Sequence, residues 1–123
     1  MRSQYTKTNY DFNPLELMMF ERKYNPLEFV GKKGVYFLIN EKEIVYVGQS
    51  TNIGNRIFSH KNGKKSKKQP CKKFTHYTFL ELDSDYDEFC RVEGHYIIKY
   101  RPKYNITIPK NTITKTTFVK DLL

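Results

Sequence analysis

Residues 34–48, GVYFLINEKEIVYVG, constrain the fold of this chain more than any other stretch. Two runs rich in Val, Ile, Phe and Tyr, 34–39 and 43–47, are separated only by a polar link at 40–42. The pattern predicts two buried strands joined as an antiparallel hairpin. Each run carries a tyrosine near a glycine: Gly34-Val35-Tyr36 and Tyr46-Val47-Gly48. With so short a link, the two phenols are expected as rough cross-strand neighbours. Gly48 reads as the strand's end, where the chain turns toward Asn52. Packing alone accounts for two buried aromatics, so any chemical role has to be argued from residues elsewhere.

The rest of the chain builds around this hairpin. At 123 residues, it has room for one domain with a real core. An aromatic content of 15% argues against general disorder. Asn52 is placed to cap a short helix running to about His60 or Lys61. Residues 74–82, FTHYTFLEL, read as a third strand. Ser84 or Asp85 then opens a helix through about Tyr100, which Arg101-Pro102 stops because the residue before proline avoids helical geometry. The tetrad Asn-Pro-Leu-Glu occurs twice, at 13–16 and 25–28, each time with the N-cap and first-turn residues of a helix. The first is expected to lead into a helix to about Lys23, the second into a single turn. The expectation is an α+β fold: a small three-stranded antiparallel sheet flanked by helices, in the order β-β-α-β-α. A helical extension, 1–31, precedes the core, 32–107, and a Thr-rich tail, 108–123, follows it.

No apolar run reaches the roughly 18 residues of a membrane span, and residues 1–16 lack the apolar centre of a signal peptide. Cys71 and Cys90 have neither metal-ligand nor disulfide-framework spacing. A cytoplasmic protein with no membrane partner is the expectation. The net charge of +9 points to a polyanion. Much of it sits in KNGKKSKKQPCKK, residues 61–73, which read as an exposed loop. Lys64, Lys65, Lys67, Lys68, Lys72 and Lys73 are candidate nucleic-acid contacts of the kind that touch phosphates without reading sequence. A merely solvated loop is the alternative.

Polar residues also stand where apolar ones belong. On the second helix, Tyr86, Phe89, Cys90, Ile97 and Tyr100 share a face at 100° per residue, and Glu93 falls in the middle of it. Glu93 is either salt-bridged to an internal arginine, snorkelling at the helix edge, or placed for metal or catalytic work. On the short helix, Ile53 and Ile57 form the stripe, with Arg56 and His60 spaced i, i+4 beside it. If both helices pack on the sheet, Tyr36, Tyr46, Arg56, His60 and Glu93 converge. Such a set suits a phosphate, a divalent cation and an attacking water.

These residues resemble the GIY-YIG endonuclease family over about 32–107. The triplets at 34–36 and 46–48 resemble its namesake motifs. Arg56, eight residues past Gly48, His60, Glu93 in RVEGHYI and Asn105 in PKYN follow in the family's order. The resemblance implies a metal-dependent DNA endonuclease that hydrolyses phosphodiester bonds at a single active site holding one Mg²⁺ or Mn²⁺. It implies Tyr36 as general base assisted by His60, and Tyr46 positioning water or phosphate. It gives Arg56 the transition-state charge, Glu93 the metal and Asn105 the orientation of the network. Val35 and Val47 replace isoleucines. Gln49 stands where many relatives have lysine and is grouped with the nucleic-acid contacts. Gly94, costly in a helix interior, suggests a close packing contact. No sequence for a separate specificity domain is recognisable. A non-catalytic nucleic-acid-binding module on the same scaffold is the alternative reading. DNA is the expected partner; neither monomer nor homodimer is singled out, nor is cutting of RNA as well as DNA.

Overall fold

The computed structural model describes residues 12–62 and 72–105. Lys64, Lys65, Lys67, Lys68 and the tail at 108–123 lie outside the described residues. A 3-10 turn at Pro14–Glu16 leads to β1, Phe20–Glu21, and a second at Pro26–Phe29 leads to the hairpin of β2, Gly34–Asn40, and β3, Glu43–Ser50. Helix α1, Ile53–Asn62, β4, His76–Glu81, and helix α2, Tyr86–Tyr100, complete the order. Among the described residues, the sheet has four antiparallel strands in the order β1-β4-β2-β3, one more than the three expected.

Strand β2 is paired on both sides and covered on both faces, which is why its apolar run is continuous rather than alternating. Val35, Phe37 and Ile39 join Phe89, Val92, Tyr96 and Ile97 of α2 in one core. Tyr36 and Leu38 join Ile53 and Ile57 of α1, with Phe74 and Tyr77, in a second core on the other face. Each such side chain contributes about 1.5–3 kcal/mol when fully buried. The hairpin turns on Glu41 and Lys42, both with positive φ, without a glycine. Thr75 buttresses it by accepting from the Glu41 amide at 3.0 Å.

The β2–β3 register slips once. Leu38 faces Tyr46 but Ile39 faces Ile44, so Val45 is an extra, bulged residue. The bulge lets Ile44 join the α2-side core while Val45 and Tyr46 both join the α1 side. The freed Val45 carbonyl accepts from the Tyr104 amide at 2.9 Å.

Of the expected helical extension, residues 1–11 lie outside the described residues, and among residues 12–31 the helix to about Lys23 does not form. Both tetrads form the same 3-10 turn: Asn13 Oδ1 accepts from the Leu15 amide at 3.0 Å, and Asn25 Oδ1 from the Leu27 amide at 3.1 Å. After the first, the chain becomes extended at Leu17 and pairs Phe20 with Tyr77 and Glu21 with His76. The reason is the open edge of β4, whose unpaired backbone groups need a partner. Thr78, buried on β4, is satisfied by donating to the Met18 carbonyl at 2.6 Å. Phe20 stacks on Tyr77 and Phe79 at 5.6 and 6.1 Å. The second turn packs under α1, where a Cβ at Gly54 would lie 2.6 Å from the Pro26 carbonyl and the Val30 amide.

Candidate active site

The sheet register sets the two phenols. Tyr36 faces Gly48, and Tyr46 faces Leu38. The tyrosines are thus diagonal cross-strand neighbours on one face, with ring centroids 6.1 Å apart. Gly48 is not a turn either, because β3 continues to Ser50. A Cβ there would lie 2.5 Å from Cζ and the hydroxyl of Tyr36. The glycine leaves the space that the Tyr36 ring fills.

Helix α1 brings His60 onto this face. Asn52 caps the helix, accepting from the amides of Asn55 and Gly31 at 3.3 and 3.2 Å. Ile53 and Ile57 are fully buried against the sheet, which fixes the helix's rotation. His60 then lies half-buried with Nε2 2.9 Å from the Tyr36 hydroxyl and its ring 5.2 Å from that of Tyr46. Arg56, one turn earlier, stays on the exposed edge of the helix.

Glu93 arrives from α2. Asp85 caps that helix by accepting from the Glu88 amide at 3.0 Å. Arg101, with φ 45°, closes it. The buried face is Phe89, Cys90, Val92, Tyr96 and Ile97, while Tyr86 is 65% exposed. At 100° per residue Glu93 falls between Phe89 and Ile97, in the middle of this face as expected, and is half-buried. Its charge acts on both phenols and on Arg56 across the edge strand β3.

The electrostatics follow from burial. Desolvation pushes the Glu93 carboxyl up from 4.5 to about 7, against the pull of Arg56. Burial, joined by Tyr46, holds the Tyr36 phenol far above its ordinary value, while Arg56 lowers it. Tyr46 is raised by burial and then by Glu93. His60 is pushed down from 6.5 to about 4, by burial first and then by the charges of Lys72 and Arg56. At neutral pH, His60 is therefore a neutral imidazole with one nitrogen able to accept.

The remaining expected residues divide. Asn105 docks on the outer edge of β3, where its side chain accepts from the Val47 amide at 2.9 Å and donates to the Val47 carbonyl at 2.8 Å. It supplies both hydrogen bonds of a missing neighbouring strand, between Tyr46 and Gly48. Gln49 is turned to Cys90, with Nε2 3.7 Å from Sγ. Lys73 is exposed, whereas Lys72 is half-buried with its ammonium 4.8 Å from the centroid of Tyr46. Sequence reasoning missed Tyr104, whose hydroxyl accepts from the Lys73 amide at 3.1 Å and so ties this segment to β3. Its place beside Asn105 in PKYN was the only signal.

A divalent cation fits this donor set. Glu93 is a desolvated carboxyl with its charge suppressed, so a cation beside it restores the ionised form. Among the described residues, no three His, Cys, Asp or Glu side chains gather to hold a metal. A hard ion that takes one carboxylate and keeps its other positions for water and substrate suits such a site, as Mg²⁺ does.

Known proteins share the family and the fold of this chain. The GIY-YIG catalytic domain matches residues 32–105. The UvrABC system protein C of Clostridium botulinum is 34% identical over 95 residues, covering 73% of this chain, and that of Clostridium acetobutylicum is 30% identical over the same length. The chain spans only 15% of the length of these relatives. The GIY-YIG N-terminal endonuclease domain of UvrC from Thermotoga maritima, solved with its catalytic divalent cation, magnesium, has a TM-score of 0.55 and 25% identity. That match covers 69% of this chain and 96% of the domain.

Proposed function

This chain belongs to the GIY-YIG family, and we propose that it is a divalent-metal-dependent DNA endonuclease with one active site. The observation that carries the reading is the convergence at one sheet edge of Tyr36, Tyr46, His60, Arg56 and Glu93. They come from β2, β3, α1 and α2. The magnesium-bearing UvrC domain supports the same class of chemistry.

Hydrolysis forms a bond from a water oxygen to phosphorus and breaks one ester P–O bond; the water gives up a proton on the Tyr36 side, and the departing oxygen takes one from solvent at the open rim. Tyr36 receives the water's proton. Its own phenolic proton passes to the neutral His60 Nε2, 2.9 Å away. The high proton affinity of Tyr36 means that it works as a proton carrier and not as a standing phenolate. Tyr46 orients water or phosphate beside it. Arg56, exposed at the rim, meets the non-bridging oxygens of the phosphate. Glu93 would hold Mg²⁺ or Mn²⁺, and when bound such an ion neutralises charge on the phosphate and leaving oxygen. Asn105 keeps the strand carrying Tyr46 in place. The domain layout follows: residues 32–107 form the nuclease unit and 12–31 pack on it as extended chain and turns. A single site makes single nicks. A double-strand break would take two events or two copies.

The test is nicking of supercoiled plasmid with Mg²⁺ or Mn²⁺, alongside Glu93→Ala and Arg56→Ala. Wild type nicks; both variants lose nicking, and chelator stops the wild type. A Glu93→Ala protein as fast as wild type would remove Glu93 from the metal site. Salt-sensitive DNA binding that is indifferent to chelator, with no cleavage under any divalent ion, would make the chain a non-catalytic binding module.

A further inference from the structure

A positive charge beside the phenols comes from outside both helices. Lys72 stands two residues before the buried Phe74, which is 3% exposed and covered by the Arg22 guanidinium at 4.9 Å. The next amide, that of Lys73, is held by the Tyr104 hydroxyl, and Tyr104 is itself bonded to β3 at Val45. Lys72 thus leaves a backbone anchored by the two residues that follow it. Its ammonium sits 4.8 Å from the centroid of the Tyr46 ring, whose π face attracts a cation. Gln49 points away from this face, to Cys90. His60 feels the charge of both Lys72 and Arg56, which places it near each of them.

We propose that Lys72 is a catalytic residue of this nuclease. Its ammonium, seated on Tyr46, and the Arg56 guanidinium flank His60 and together hold the non-bridging oxygens of the scissile phosphate. This rests on the endonuclease reading above. It sets Lys72 apart from a lysine that touches the DNA backbone at large: its fixed position concentrates its effect on the rate and not on affinity. Arginine also stacks on aromatic faces and carries the charge, so Lys72→Arg keeps most of the function.

The experiment measures single-turnover nicking of plasmid DNA at saturating protein with Mg²⁺, and DNA affinity in chelator. Lys72→Met is expected to lower the saturated rate about 100-fold, the scale for losing one preorganised charge at a reacting group. Its DNA affinity should change less than about threefold, since one phosphate contact among many is lost. Lys72→Arg stays within about tenfold of wild type. Lys99→Met removes a lysine similarly placed over a ring, 5.6 Å from Tyr100, and leaves the rate unchanged. In metal-free protein, NMR titration should find the His60 imidazole higher in Lys72→Met than in wild type. A wild-type saturated rate in Lys72→Met, with any loss confined to affinity, overturns the proposal, as does an unmoved His60. A wild type that never nicks overturns the endonuclease reading instead.

Discussion

The two faces of the β2–β3 hairpin are built from the same few residues and do opposite things. Toward α2 point Val35, Phe37, Ile39, Ile44 and Val47, all apolar and at most 6% exposed. Toward α1 point Tyr36, Leu38, Val45 and Tyr46, where the phenols carry polar tips into the range of His60, Arg56 and Lys72. The first face is closed, with Phe37 edge-on to Tyr96 at 5.1 Å. The second is left partly open, and its desolvated ionisable groups have shifted proton affinities. One face stores the stability that allows the other to hold unfavourable groups.

That division can be broken by substitution, from the largest effect on stability to the smallest. Phe37→Ala, on the closed face, opens a cavity and should cost about 4 kcal/mol in chemical denaturation. Residual folded protein should still nick DNA at its normal rate per folded molecule. Gly48→Ala drives a methyl into the Tyr36 ring and should cost roughly 2 kcal/mol. It should also lower the nicking rate, because the phenol must move.

Glu93→Gln should separate function from stability in the other direction. The Glu93 carboxyl has its affinity for a proton raised on folding, from 4.5 to about 7. Its stability contribution is therefore full below about pH 4.5 and lost as pH rises through 7. Metal-free Glu93→Gln should then be more stable than wild type at pH 8, by about 2 kcal/mol, with no gain at pH 4 and no nicking. A gain that persists at pH 4 would mean the carboxylate's charge is not its cause. For wild type, nicking should rise with pH as Glu93 ionises. The midpoint should fall below 7 as Mg²⁺ is increased, since the cation competes with the proton. Tyr36→Phe should be the mildest change to the fold, under about 1 kcal/mol for one hydroxyl, with nicking nearly abolished. A Tyr36→Phe enzyme near wild-type rate would assign the proton to Tyr46 or His60 instead.

Much of this was readable from local patterns. The hairpin, the caps at Asn13, Asn25, Asn52 and Asp85, and the stop at Arg101-Pro102 depend on atoms only a few residues apart. The order of Tyr36, Tyr46, Arg56, His60, Glu93 and Asn105 was readable too. The strand at residues 20–21 was not. LELMMFERKY has helix-forming composition, and only the distant, unpaired edge of β4 makes extension the better solution. The bulge at Val45 was equally hidden, because a period-two pattern gives no sign of one extra residue.

Gly48 and Lys72 show where the boundary lies. The sequence by itself determined that a glycine follows Tyr46-Val47 and that Lys72 stands next to last in a basic run. Only the tertiary structure decided that the glycine makes room for the Tyr36 ring and that the lysine rests on Tyr46. The physical reason is range. Caps and turns are settled by hydrogen bonds along a few residues of chain. Close approach and a held charge depend on which surfaces the folded sheet brings together, and no local propensity encodes that.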